Sequence, residues 1–374
     1  MKKILLVIVA LSILFFHCTA DLFAQQNTPP ATGQNSVEAV VTNVIENSEI
    51  IENTGNKHPY QKLELLGLSG KYKGKKVVIE NGKYDQSGVI TYSTGDTIVV
   101  AVEKNDKGQD MLTITDYVRR TPLLLLFSIF AILAIVIGGR RGASSLIGMG
   151  VTFGILFLFV LPQVSKGVSP ILVVVAASSL IIPITFFLSH GINKKTACAI
   201  IGTLIALFIT GLLSAYFVNA AHLSGFASEE ASYLNIIKKG SIDIKGLLLG
   251  GIIIGLLGVL QDITVSQAAI VYQLKSANRS IKLYELFKRA MDVGRDHIAS
   301  MVNTLILVYA GASLPLLLLF INNPLPFSSV VNFEIIAEEV VRTLVSSIGL
   351  ILAVPITTAL TALFVEVTYK SKEK

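Results

Sequence analysis

The residues best suited to chemistry lie between Gly246 and Pro315, where carboxylates and amides adjoin long apolar runs. Asp262 follows the run GLLLGGIIIGLLGVL and is itself followed by Thr264 and Ser266. A carboxylate at the end of a membrane-length helix is costly, so it usually has a partner and often a role. At 1.5 Å per residue it lies about 25 Å from Lys245, near the end of the hydrocarbon layer. We therefore predict that Asp262 is the titratable or cation-binding group of a substrate or ion path, with Thr264 and Ser266 beside it.

A second polar group surrounds the start of the next apolar run. Asn303 and Thr304 lie a turn or two inside that run, at helical spacing from Asp296 and at a depth similar to that of Asp262. The residues before it are Asp292, Arg295, Asp296 and His297. One interpretation is a polar cluster at the cytoplasmic mouth of a cavity. The other is interfacial charge pairing, in which Asp262 is solvated or paired with Arg295, and His297 is an interfacial residue.

Glycines and prolines mark the helices around these groups. Small residues four apart let a second helix approach closely, which favours a helix-packing role for a set of five glycines. They are Gly246, Gly250, Gly251, Gly255 and Gly258. Pro183 and Pro355 each lie in a Pro-Ile-Thr sequence inside an apolar run, where proline is expected to break a helix and free carbonyls that line a cavity.

Composition places the chain among membrane proteins. It is 52% hydrophobic and only 15% charged, whereas soluble domains carry about 25% charged residues. The net charge of +6 comes from basic residues in short loops between apolar runs, which argues against nucleic-acid binding. The two cysteines, Cys18 and Cys198, fit neither a disulfide framework nor a metal site. Without a phosphate-binding loop, an HExxH motif or a nucleophile elbow, we expect no enzyme activity, no cofactor and no metal.

The first third of the chain is predicted to be exported. Residues 1–24 resemble a signal peptide, with Lys2 and Lys3 before a short apolar core and Cys18-Thr19-Ala20 as a cleavage site; an uncleaved anchor is the alternative. Residues 25–36 form a polar linker. Residues 37–118 contain five or six short Val-, Ile- and Thr-rich runs separated by turn signals, which predicts a small all-β domain, possibly OB-like. Since it lacks an aromatic and basic stripe, we expect a docking or structural module.

The rest of the chain, residues 121–366, is predicted to be an α-helical polytopic membrane domain with a cytoplasmic basic tail at 367–374. The predicted spans are 122–138, 143–162, 169–189, 196–218, 244–264, 300–321 and 343–364. The basic loops follow the first, third and fifth spans, and the acidic residues concentrate in the loops on the other side. By the positive-inside rule, the β domain is extracytoplasmic and residues 275–295 are cytoplasmic. Within them, residues 280–297 have the pattern of an amphipathic helix.

The functional stretch resembles the signature of the YibE/F-like multipass membrane proteins. The resemblance lies in Gly258, Asp262 and Ser266, then in Gly294-Arg295-Asp296, Asn303-Thr304-Leu305 and Tyr309-Ala310-Gly311. Ala299-Ser300-Met301 stands where that family has a glycine-threonine-methionine run, a change that keeps the residues small. The layout of leader, β domain and seven spans is similar from about residue 35 to 365. The resemblance implies a bacterial inner-membrane protein and names no activity.

These observations favour a permease-type protein that passes an ion or small solute. The alternative is a non-transporting membrane scaffold whose exported β domain binds an envelope partner. An intramembrane enzyme is the least favoured hypothesis. The expected partners are the lipid bilayer and an envelope or membrane protein; the sequence specifies neither the substrate nor the oligomeric state.

Overall fold

A computed structural model describes residues 35–51, 57–82, 89–105, 108–321 and 325–370. The predicted leader, most of the predicted linker and the last four residues of the predicted tail lie outside this range. The chain divides into two compact units, with the boundary between Ser128 and Ile129. The first unit contains the β-sheet and the second contains most of the helices.

The first unit is built on a five-stranded antiparallel sheet of order β3-β2-β1-β4-β5. The strands are β1 (Asn35–Ile51), β2 (Lys57–Gly67), β3 (Lys76–Asn81), β4 (Thr97–Lys104) and β5 (Asp110–Tyr117). β1 is long enough to pair with β2 along most of its length and with β4 through its first residues. Alternate β1 residues (Val37, Ala39 and Val41) are buried, which is the period that a half-buried strand requires. The sequence prediction of a small β domain is confirmed.

The second unit is helical. Its longest helical run is α1 (Arg120–Ser165), and the others are α2 (Pro170–His190), α3 (Lys194–Ala220), α4 (Glu229–Ile237), α5 (Ile244–Ala277), α6 (Leu283–Ala312), α7 (Leu314–Ile321), α8 (Phe327–Val330) and α9 (Glu334–Lys370). Helix α5 lies at the centre, in contact with α2, α3, α6 and α9. Its buried face is almost entirely leucine and isoleucine, from Leu248 to Ile263, and forms the middle of the main apolar core.

Five of the described helices are long and apolar enough to cross a membrane: α1, α2, α3, α5 and α9. The prediction of seven spans differs from this count at two places. The first two predicted spans both fall within α1, and the predicted span 300–321 is divided between the end of α6 and the short helix α7. Sequence hydropathy could not reveal the second division, because Ala312 and Ser313 interrupt the helix without interrupting the apolar run.

Helix α1 contains a sharp bend at Gly139. This residue has φ 57° and ψ −134°, which are not helical angles and which glycine adopts without steric cost. The backbone of Gly142 lies against the carbonyl of Ala134, although eight residues of straight helix would separate them by about 12 Å. Only 6% of the most apolar window of α1 is buried, against 44–56% in the other four long helices. Helix α1 therefore lies at the margin of the helical unit.

Candidate functional site

Asp262 is exposed on the surface of α5, next to buried residues of the same helix. Gly251, Gly255 and Gly258 are also exposed, whereas the neighbouring Ile263 is buried. Spacings of four, three and four residues place the three glycines and Asp262 in one row along the helix. We call this row (Gly251, Gly255, Gly258 and Asp262) the glycine face of α5.

Two histidines lie within electrostatic range of Asp262. They are His190, the last residue of α2, and His297 on α6. His190 in turn lies in the range of two basic side chains, Arg141 beside the bend in α1 and Lys195 at the start of α3. The sequence analysis named His297 but missed His190. The sequence does place His190 at the end of an apolar run, just before a basic loop, and this position could have marked it as a candidate.

Arg295 does not serve as the partner of Asp262 in this structure. Its guanidinium donates a hydrogen bond of 2.7 Å to Asp292, one turn away on the same helix, and both side chains are more than half exposed. An exposed pair of this kind contributes about 0–1 kcal/mol to stability. The ionisable side chains that act on Asp262 are therefore the imidazoles of His190 and His297.

Thr264 faces a different direction from Asp262. It is fully buried, and its hydroxyl lies 2.7 Å from the hydroxyl of Thr203 on α3. Thr264 also donates to the carbonyl of Leu260 in its own helix. Its hydrogen bonds are thus made within a helix–helix contact. Ser266 is partly buried. Of the predicted path residues on α5, Asp262 lies on the glycine face and Ser266 follows it one turn later on the same side, whereas Thr264 does not.

Asn303 and Thr304 are not brought to Asp262. The buried side of α6 consists of Leu286, Ala290, Gly294 and Leu305. Asn303 is nine residues after Gly294, which places it half a turn away, on the opposite side of the helix. Asn303 and Thr304 are both exposed, and the Thr304 hydroxyl donates to the carbonyl of Ser300. Helices α5 and α6 are neighbours as predicted, but the contact is made by other residues.

That contact is centred on Gln267. Its side-chain amide nitrogen donates to the carbonyl of Ala290 on α6 and to the hydroxyl of Thr358 on α9, both at 2.8 Å. Gln267 is fully buried, and its Oε1 has no hydrogen-bond partner. One amide thus joins three helices within the apolar core. The sequence analysis missed Gln267, although a lone amide in an apolar helix is itself a sign of an interhelical contact.

The five glycines of α5 separate into two groups. A side chain on Gly246 or Gly250 would meet α2, since Pro170 Cδ and Val174 Cγ2 lie 3.2 and 3.1 Å from the respective Cβ positions. These two glycines have the predicted role in helix packing. By contrast, a Cβ on Gly251 or Gly258 would meet no atom within 4 Å, and one on Gly255 would lie 3.8 Å from the Tyr309 hydroxyl. Gly251, Gly255 and Gly258 therefore do not hold two helices together in this structure.

Pro183 and Pro355 do not break their helices, contrary to the sequence prediction. Pro183 lies inside α2 and Pro355 inside α9. A hydroxyl near each proline satisfies a backbone carbonyl: Thr185 donates to Ile181 and Thr358 donates to Val354, both at 2.7 Å. Hydroxyl groups of this kind are one reason that proline is tolerated inside membrane helices.

A cavity of about 460 Å³ opens at the other end of the glycine face. Its walls come from α4, α5, α6, α7 and α9, and they include Gly251, Ser313 and Glu338. We call it the Glu338 cavity. Gly251 lines it, and Asp262 lies eleven residues further along α5, or about 16 Å. Glu338 was not among the residues that the sequence singled out as functional.

Within the described ranges, no three His, Cys, Asp or Glu side chains are arranged to hold a metal ion. Cys198 is a free, buried thiol on α3. The candidate site therefore consists of Asp262 with its two histidines, the glycine face and the cavity.

A small antiparallel sheet followed by a core of membrane-length apolar helices defines a multipass membrane protein with an appended β unit. The model of the YibE/F-like protein family matches residues 126–367, and the chain belongs to that family. The match covers nearly all of the helical unit and confirms the resemblance that residues 246–315 suggested. No curated protein and no solved structure shows significant similarity to the chain.

Proposed function

We propose that this protein is a permease that passes an ion or small solute along the glycine face of α5. The observation that supports this most strongly is the continuity of that face. It begins in the Glu338 cavity at Gly251, runs past Gly255, where the Tyr309 hydroxyl is the nearest group, and past Gly258, where the space is open, and it ends at Asp262. Glycine exposes backbone groups to a passing solute, and an ionisable residue inside a membrane helix commonly marks such a path.

The two histidines are ionisable side chains that interact with the charge of Asp262. Asp262, His190 and His297 belong to three different helices, so a change in their protonation alters the attraction between α5, α2 and α6. Proton relays in membrane transporters are built from such Asp and His groups. We infer that Asp262 is the binding or proton-accepting group at this end of the path.

The orientation is a further part of the proposal. We infer seven crossings of the bacterial inner membrane, with the bend at Gly139 between the first two and α6 with α7 forming the sixth. The β unit is then extracytoplasmic and OB-like, and Asp262 lies towards the cytoplasm. The support is the positive-inside pattern, with Arg140 and Arg141 at the bend. A reporter fused at residue 284 should behave as cytoplasmic, and an extracytoplasmic result would reverse the arrangement.

The order of the sheet supports the OB-like part of this proposal. Its two edge strands, β3 and β5, lie close to each other although they are not paired. Asp110 at the start of β5 also pairs with Lys71 in the turn before β3. Contacts between the two edges bring a five-stranded sheet towards a partly open barrel.

The experiment is a flux measurement on the full chain in liposomes, with protons, rubidium ions and a panel of small solutes as probes. Gly255→Leu should block flux, because its side chain fills the middle of the glycine face. Gly311→Leu is the matched control, since it adds the same bulk to α6 where nothing lies within 4 Å. Asp262→Asn should remain folded and lose flux, since the amide keeps the shape and removes the charge.

Unchanged flux in Gly255→Leu and Asp262→Asn would refute the path. Absence of flux in the unmodified protein with every probe would favour the scaffold alternative, in which the β unit binds an envelope partner. The oligomeric state of each variant should be measured alongside, because an exposed glycine row can also pack against a second helix.

A further inference from the structure

The Glu338 cavity contains a buried carboxylate with one oxygen that makes no hydrogen bond. Glu338 is 8% exposed, and its Oε1 makes no hydrogen bond. A hydrogen bond from the backbone of Ala227 reaches the carboxylate, which leaves the other oxygen free to accept. A buried carboxylate without a partner is strongly unfavourable unless a ligand or a proton satisfies it. Glu338 is also one of the residues that line the cavity, so its carboxylate lies beside open space as well as beside packed side chains.

The neighbouring charges are already paired with each other. Glu334 accepts hydrogen bonds from the backbone N–H groups of Ser224 and Gly225. Arg342 donates to Glu339 at 2.6 Å. Among the described residues that line the cavity, Arg342 is the basic one, and it stands against two lining carboxylates, Glu338 and Glu339. The lining therefore has one more acidic than basic side chain, and Glu338 is the acidic side chain that Arg342 does not pair with.

The remaining walls are mostly apolar. They include Leu247, Leu248, Leu316 and Ile335, with the hydroxyl of Ser313 as a further polar group. A volume of about 460 Å³ falls within the range of pockets that hold small organic molecules, about 300–1,000 Å³. A bare alkali ion would leave most of this space empty and would find few oxygen ligands there. The shape and lining instead match a molecule with an apolar body and one positive charge.

We propose that the Glu338 cavity binds a small organic monocation, a protonated amine with an apolar body. Its ammonium N–H donates to the carboxylate of Glu338, and its body occupies the leucine-lined part of the cavity. Binding at this site does not require transport, so it holds whether or not the glycine face is a path. If the protein is a permease, the site is where such a cation would enter or leave.

The test is calorimetric titration of the full chain in lipid nanodiscs with 2-phenylethylammonium as the probe. The neutral comparison is 2-phenylethanol, which has nearly the same shape and lacks the charge. The ammonium should bind saturably and at least about tenfold more tightly than the alcohol, because a charge-assisted hydrogen bond to a buried carboxylate favours it by this much or more.

Three variants locate the binding. Glu338→Gln should remove the tenfold preference and leave the alcohol unaffected. Glu230→Gln is the matched control, since Glu230 is exposed in the first turn of α4 and does not line the cavity. It should bind as the unmodified protein does. Gly251→Leu should abolish binding of both probes, because its side chain grows into the cavity from a position with open space around it.

Equal affinity for the two probes, or no saturable binding of the ammonium, would overturn the proposal. So would a folded Glu338→Gln variant that keeps the preference. If Glu338→Gln does not fold, Gly251→Leu decides alone: full binding of the ammonium in that variant would show that it binds elsewhere.

Discussion

Three helices meet at Gly294 and leave no room there for a side chain. A Cβ at this position would lie 2.6 Å from Cγ1 of Val354 and 3.0 Å from Nε2 of Gln267. That amide nitrogen is the one that joins α5 to α6 and α9. A side chain on Gly294 would therefore push α6 away from α5 and α9. The hydrogen bond from Gln267 to the Ala290 carbonyl of α6 would then be stretched. The glycine of the Gly294-Arg295-Asp296 sequence thus has a packing reason that the sequence alone does not state.

We expect Gly294→Ala to lower the thermal unfolding temperature of the full chain in detergent. Overpacking of this kind costs about 1–3 kcal/mol, which exceeds the gain of up to about 1 kcal/mol that alanine brings to a helix. Gly311→Ala on the same helix is the control, since nothing lies within 4 Å of its Cβ position. It should be neutral or stabilising. Equal unfolding temperatures for the two variants would contradict the close contact.

Individual residues were predicted from the sequence when their type was unusual for their surroundings, and they were missed when their role depends on tertiary contacts. Asp262 stands out in the sequence because a charge in an apolar run is rare. Gln267 and His190 do not stand out, because their importance depends on which helices they face. The direction of Asn303 was not predicted, since direction depends on tertiary contacts.

Helices α3 and α9 approach each other through two glycine–threonine contacts. A Cβ on Gly202 of α3 would collide with the side chain of Thr357, and one on Gly349 of α9 would collide with that of Thr210. The order of the contacts runs forward along α3 and backward along α9, so the helices are antiparallel. Small residues that allow close backbone approach are what stabilises helix pairs in a bilayer, where lipid is as apolar as the side chains.

Gly202→Ala should therefore destabilise the full chain, and Thr357→Ala should partly restore stability in the double variant. Removing the threonine hydroxyl and methyl makes room for the new methyl, so we expect a coupling energy within the usual range of about 0.5–3 kcal/mol. Gly211→Ala is the control on α3, because its nearest neighbour, Ile253 Cδ1, lies at 4.0 Å. Unfolding in detergent measures all four variants. Strictly additive effects would mean that the two residues do not touch.

The helices themselves were largely predictable, and their pairings were not. Apolar runs of about twenty residues placed α2, α3, α5 and α9 close to their observed positions. The predicted break at Pro183 was wrong, since α2 continues through this proline. The contact between α3 and α9 joins residues about 150 positions apart, and no local pattern carries that information.

The whole molecule combines two units with separate cores. The β unit has its own apolar cluster of Val37, Leu63, Leu65, Ile98 and Val100, among others. It also has a buried polar contact, in which Gln61 exchanges two hydrogen bonds with the backbone of Tyr92. Short runs rich in Val, Ile and Thr, separated by turn signals, predicted this unit from sequence, because both are local features. The closeness of β3 and β5 comes from the curvature of the sheet, which those signals do not contain.

We expect residues 35–118 to fold alone as a soluble β protein, because its core and polar contacts are internal. Its stability should fall in acid. The Lys71 ammonium and the Tyr72 hydroxyl both donate to Asp110 and hold the pKa of that carboxyl below its usual value. A pKa that is lower in the folded state gives stability that is full above the unfolded pKa, about 3.9, and is lost as the pH falls through the folded pKa.

Asp110→Asn should therefore melt at a lower temperature than the unmodified unit at pH 7. The gap should narrow once the pH falls below the unfolded pKa, about 3.9, and should close below the lowered folded pKa, where the carboxyl is uncharged in both states. Lys71→Met should behave similarly, and the two changes together should cost less than the sum of each alone, because both remove one ion pair. Circular dichroism melts between pH 2 and 7 provide the measurement. A gap that is independent of pH would mean that Asp110 acts through its shape, and an unfolded fragment at every pH would mean that the sheet depends on the helical unit.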